Sequence, residues 1–157
     1  MPSICGKDMS AITPNLEFIF TITDIVRYKR TLFAEDVAKV APELTPGAAR
    51  ILVYAAHYGP VTQVTLARRA SLDPMTISGF LASLEKGGYI CRQPDQNDRR
   101  SKTVHMTDKG SDYVARIVAC MQKTETDSRN TVTPEEWQST LAVLEKIRLQ
   151  MAETSSE

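Results

Sequence analysis

Apolar residues recur at helical spacing along the first long segment of the chain, about Thr13 to Val40. Leu16, Ile19, Ile22, Val26, Phe33, Val37 and Val40 form one stripe there. Phe18, Ile25, Tyr28 and Leu32 form a second stripe on another face, so this helix has two surfaces to cover. One is expected to pack on its own domain and the other on a partner chain. Pro42 ends the helix, because the residue before a proline avoids the helical region. Thr45 reads as an N-cap with Pro46 at the first helical position. The helix over Gly47–Tyr58 should bury Ile51, Leu52 and Ala55 and stop at Gly59-Pro60.

Val61-Thr62 is long enough only for a short strand, and Gln63–Ala70 reads as a brief helix around Val64, Leu66 and Ala67. Ser71-Leu72-Asp73-Pro74 is a turn into another helix, with Asp73 as N-cap and Gly87-Gly88 as its left-handed stop. In that helix Ile77, Phe80, Leu81 and Leu84 make the buried stripe. Thr76, Ser78, Gly79, Ala82 and Ser83 lie largely on the other side, and all are small. A solvated face would carry Lys, Glu or Gln; a face of small residues suits close approach to another surface.

After Gly88 the period changes. Residues 89–93 and 102–106 read as two short strands joined by the polar loop 94–101. Thr107 caps the next helix, which runs to about Asn130 with Val114, Ile117 and Met121 on one face. Thr133 caps the last, which carries Trp137, Leu141, Leu144, Ile147 and Met151. The fold expected is mainly α with a small β-hairpin: a winged helix-turn-helix over residues 44–106, flanked by dimerisation helices over 1–43 and 107–157.

Net charge is zero, so no global basic excess points to nucleic acid. The local balance does. Val61 to Gly110 holds eight Lys/Arg against five Asp/Glu, whereas the C-terminal helices are acidic. No apolar run approaches the roughly 20 residues that cross a bilayer, and the N-terminus lacks a signal pattern, so a cytoplasmic protein is expected. Cys5, Cys91 and Cys120 show no C-x-x-C spacing, and His57 and His105 are the only histidines, which argues against a metal site. No phosphate-cradling glycine loop or nucleophile–base arrangement points to an enzyme, and no cofactor is expected.

Several fragments, in order, sharpen the reading. They are Leu44-Thr45-Pro46, Leu66-Ala67, residues 73–78 (DPMTIS), residues 84–90 (LEKGGYI), residues 98–102 (DRRSK) and residues 107–110 (TDKG). Together they resemble the MarR family of bacterial transcription regulators across about residues 16–151. The resemblance implies a homodimer with interlocked N- and C-terminal helices, and double-stranded DNA with a palindromic operator as its partner. Asp73, Met75, Thr76, Ser78, Gly79 and Ser83 would line the helix in the major groove, and Arg68 and Arg69 would support it from the preceding helix. Arg99, Arg100 and Lys102 would be the wing contacts, with Asp98 orienting an arginine. The chain departs from the family where Gly79 and Ser83 stand in place of frequent arginines.

The resemblance also implies a small aromatic or phenolic effector. Phe18, Arg27, Tyr28, Lys29, Tyr54, His57 and Tyr58 could line its crevice; the plainer alternative is packing. Leu16, Ile19, Trp137, Leu141, Leu144 and Ile147 are the dimerisation candidates. Two other readings stand beside DNA binding: a winged helix used only for protein contacts, and a thiol-based redox sensor, for which Cys5, beside Lys7, is the candidate.

Overall fold

The computed structural model describes residues 13–95 and 102–154. In chain order the elements are α1 (Thr13–Val40), α2 (Pro46–Tyr58), β1 (Val61–Thr62), α3 (Gln63–Ala70), α4 (Pro74–Lys86), β2 (Ile90–Pro94), β3 (Lys102–Met106), α5 (Asp108–Arg129) and α6 (Pro134–Thr154). They fall into two compact units, one up to Ile117 and the other from Val118 onward.

Short-range chemistry sets the helix ends in the first unit. The Thr45 hydroxyl accepts the Ala48 N–H at 3.2 Å to start α2, with Pro46 in the first turn where no N–H is needed. Gly59, at φ 71° and ψ −159°, ends it in a region open essentially to glycine alone. Thr62 serves twice, as the last residue of β1 and as the cap of α3 through a 3.2 Å bond from the Thr65 N–H.

α3 and α4 end in the same way. Ser71, at φ 52°, follows α3; its N–H reaches the Arg68 carbonyl, and the Leu72 N–H reaches back to Ala67. Gly88, at φ 73°, does the same after α4, with its own N–H on Glu85 and that of Tyr89 on Leu84. This double bond pattern satisfies carbonyls that a helix end leaves open. Of the two glycines expected to stop α4, Gly88 is the left-handed one; Gly87, at φ −76°, is still right-handed.

The core of this unit lies where α2, α3 and α4 meet. Ile51, Leu52 and Ala55 are buried against Leu66, Ala67 and Ala70 and against Ile77, Leu81 and Leu84. Each large aliphatic side chain so buried contributes about 1.5–3 kcal/mol. Phe80 is half-buried and abuts Gly47, where an added Cβ would lie 2.5 Å from the ring. Val64 differs from the pattern-based grouping with Leu66 and Ala67: it faces solvent.

The three strands pair antiparallel in the order β1-β3-β2. Val104 pairs with Val61 on one side and Arg92 on the other, and Ile90 and Val104 are buried. That burial fixes the root of the β2–β3 hairpin beside α4. In α1, Asp36, Val37 and the adjoining Ala41 are buried, with Lys39 3.5 Å from Asp36, whereas Leu16, Phe18, Ile19, Phe20, Ile25, Val26 and Tyr28 are exposed. The helix is thus divided along its length as well as around its circumference.

In the second unit Thr133 and Glu136 cap α6 reciprocally. The Glu136 N–H donates to the Thr133 hydroxyl at 3.2 Å, and the Thr133 N–H to the Glu136 carboxylate at 2.8 Å. No residue of α6 is buried in this single chain; Trp137, Leu144 and Ile147 are half-buried and Leu141 is exposed.

Candidate nucleic-acid interface

Ser71, Leu72 and Asp73 separate α3 from α4, a short turn of the kind a helix-turn-helix needs. Asp73 then organises the start of α4. One carboxylate oxygen accepts the N–H groups of Met75 and Thr76 at 3.0 and 2.9 Å, and the other accepts the Thr76 hydroxyl at 2.6 Å. These bonds, the one from the Thr76 hydroxyl foremost, hold the Asp73 carboxyl below the usual carboxylate range. Asp73 therefore acts on this surface as the cap that orients Thr76, its charge set at the positive end of the helix.

The outward face of α4 presents Met75, Thr76, Gly79, Ala82 and Ser83, all exposed, with Ser78 half-buried at its edge. Met75 is 83% exposed. A Cβ at Gly79 would meet nothing within 4 Å, so the protein's own packing does not require glycine there. Lys86 is exposed at the end of the helix.

At the side of α4, Arg92 of β2 bonds Glu85 through Nε at 2.9 Å and Nη2 at 2.5 Å, both to Oε2. The guanidinium beside it holds the Glu85 carboxyl below its ordinary value, burial opposes the shift, and Lys102 adds a weaker pull in the same direction. The sequence names both residues without revealing the pair. The available signal is that Arg92 shares a strand face with buried Ile90, where a cation needs an acid.

A second tie holds the C-terminal end of α4. The Thr107 N–H donates to the Tyr89 carbonyl at 3.2 Å, its hydroxyl to the Gly88 carbonyl at 2.7 Å, and it accepts the Gly110 N–H at 3.1 Å. Lys109 Nζ donates to the Gly87 carbonyl at 2.7 Å and lies 4.3 Å from the centre of the Tyr89 ring. At Gly110 any Cβ would sit 2.0 Å from the Tyr89 carbonyl oxygen. The Thr-Asp-Lys-Gly motif is thus a clasp between the first turn of α5 and the end of α4.

Arg68, Arg69 and Lys102 are exposed, and the Arg69 guanidinium stacks 5.0 Å from the Tyr58 ring centre. Asp98, Arg99 and Arg100 lie outside the described residues, as does Cys5. Cys91 and Cys120 are half-buried, and His105 Nε2 lies 2.8 Å from the Thr103 hydroxyl.

The effector candidates fall into two groups. Tyr54, His57 and Tyr58 pack edge to face on α2. On α1, Arg27 stacks on Tyr28 at 4.3 Å and pairs with Asp24 at 2.8 Å; Phe18 is exposed. Ile22, Thr23, Val26, Arg27, Arg30 and Thr31 line an open concavity of about 570 Å³, to which Arg27 alone of the seven candidates contributes.

A sequence model of the MarR family matches residues 44–102. The chain carries a MarR-family domain. The matched range takes in α2, α3, α4 and β2, hence the turn, the outward face of α4 and the Glu85–Arg92 pair, while the clasp at residues 107–110 follows just after it. The likeness of fold runs beyond the MarR-family domain itself. The transcriptional regulator BldR from Sulfolobus solfataricus is 26% identical, with a TM-score of 0.75 over 88% of this chain and 97% of that one. A MarR-family transcriptional regulator from Silicibacter pomeroyi is 21% identical, with a TM-score of 0.76 over 90% and 94%. Apo MarR from E. coli is 21% identical, with a TM-score of 0.67 over 81% and 93%. The fold is thus similar to that of these transcriptional regulators. No helix among the described residues is long and apolar enough to cross a membrane.

Proposed function

We propose that this chain is a cytoplasmic, sequence-specific DNA-binding transcription regulator, working as a homodimer on a palindromic operator and released by a small aromatic or phenolic effector. The observation that carries it is the outward face of α4, exposed and, Met75 apart, made of small residues, held at one end by Asp73 and at the other by the Thr107–Gly110 clasp. A helix this narrow enters a major groove, and the β2–β3 hairpin beside it reaches the flanking backbone or minor groove. In this reading residues 44–106 bind DNA, with Arg68, Arg69 and Lys102 on phosphates and Arg99 and Arg100 in the wing.

Residues 1–43 and 107–157 are then the dimerisation elements. The exposed apolar side chains of α1, Leu16 and Ile19 among them, and Leu141 of α6 support that role, since a second copy would cover them. The function is one of binding, not catalysis, and as a repressor it needs two states. An effector releases DNA only by favouring a conformation in which the recognition helices are wrongly spaced.

Binding of the full chain to the DNA upstream of its own gene, across a salt series, tests the proposal. Specific binding in the nanomolar range that weakens steeply with salt and fails in the Arg99→Ala/Arg100→Ala variant is the expected result. The absence of any charge on the outward face of α4 before Lys86 favours a second reading, a module for protein contacts. DNA affinity that barely changes with salt would favour that reading over the first.

A further inference from the structure

We propose that the α4 face reads thymine methyl groups and that guanine is not an obligatory base beneath it. The inference rests on the DNA-binding reading above and specifies its substrate. In the major groove guanine offers two acceptors, N7 and O6, which arginine or lysine reads, whereas thymine offers a methyl group that apolar side chains read. The outward face before Lys86, formed by Met75, Thr76, Gly79, Ala82 and Ser83, carries no charge. Its most prominent group is an apolar one, Met75, at 83% exposure. The Thr76 hydroxyl proton is committed to Asp73 at 2.6 Å, which leaves that side chain its methyl group and lone pairs for a base.

The nearby cations are placed elsewhere. Both bonding nitrogens of Arg92 are held by Glu85. Lys86 shares the helix face with Met75 but follows it by eleven residues, about 16 Å along the axis. That distance sets Lys86 at the opposite end of the helix from Met75, where a phosphate at the groove edge would be its partner in this reading. Arg68 and Arg69 belong to α3, and Arg69 is stacked on Tyr58. The open space above Gly79 and the small side chains at 82 and 83 let a base edge come within contact distance of the helix.

The test begins with a site selected by the full chain from a randomised duplex pool. Each thymine of a half-site is then replaced by uracil, which removes only the methyl, and each guanine by 7-deazaguanine, which removes the N7 acceptor. Uracil should weaken binding about fourfold at each contacted position, the equivalent of ~0.8 kcal/mol per methyl group. That penalty should vanish at one of these positions in the Met75→Ala variant, while 7-deazaguanine leaves affinity unchanged. A loss of tenfold or more with 7-deazaguanine, or indifference to uracil throughout the half-site, would overturn the inference while leaving DNA binding intact. Failure to select any site would overturn the DNA-binding reading and this one with it.

Discussion

Arg92 on β2 places two nitrogens, at 2.9 and 2.5 Å, on a single carboxylate oxygen of Glu85 in the last turn of α4. The pair joins the helix whose outer face is the candidate reading surface to the strand that leads into the hairpin loop. Its members are partly exposed, so its contribution to stability is modest.

Glu85→Gln should cost about 1 kcal/mol, and the charge-reversed Glu85→Arg/Arg92→Glu double variant should recover part of the loss. A carboxyl held below its ordinary value stabilises the fold above that value and ceases to as pH falls through the lowered one. Thermal melts between pH 5 and about pH 3 should therefore fall more steeply for the wild type than for Glu85→Gln. Parallel curves would show that the pair does not form in solution.

Gly110→Ala forces a Cβ to within 2.0 Å of the Tyr89 carbonyl oxygen. Backbone must move on one side or the other, so the loss should reach about 3 kcal/mol in urea denaturation. Thr107→Val, which removes the hydroxyl that both donates to Gly88 and accepts from Gly110, should cost about 1–2 kcal/mol by the same measurement.

Gly79→Ala should do the opposite to the fold. Nothing lies within 4 Å of the new methyl group, and alanine is better in a helix by about 1 kcal/mol, so the melting temperature should rise. On the proposed DNA-binding reading operator affinity should fall, because the added methyl would stand where DNA approaches. A variant that binds as well as the wild type, or better, would refute close approach at this residue.

Under the proposed DNA-binding reading Arg68, exposed on the last turn of α3, would meet a phosphate. Arg68→Ala should weaken operator and random duplex alike and reduce the slope of log affinity against log salt by about 0.9. A loss confined to the operator would make Arg68 a base contact instead.

How much of this was legible in the chain depended on how local each cause is. Element order, the caps at Thr45, Asp73 and Thr133, and the stop at Gly88 follow from a few neighbouring residues, and the sequence reading places them where the structure does. The buried stripe of α4 follows from the helical period, as Ile77, Leu81 and Leu84 show. Val64 escaped that logic because an eight-residue helix has room for one buried stripe, which Leu66, Ala67 and Ala70 fill.

The sequence by itself determined the architecture and the composition of the α4 face, because periodicity, capping and turn chemistry act over three to five residues. Only the tertiary structure decided that Glu85 and Arg92 meet, that Lys109 bonds the Gly87 carbonyl 22 residues before it, and that Gly110 passes under Tyr89. It also decided which apolar residues of α1 remain uncovered in a single chain. Each of these depends on how closely separate elements approach, which is set by burial of the shared core and not by any short stretch of residues.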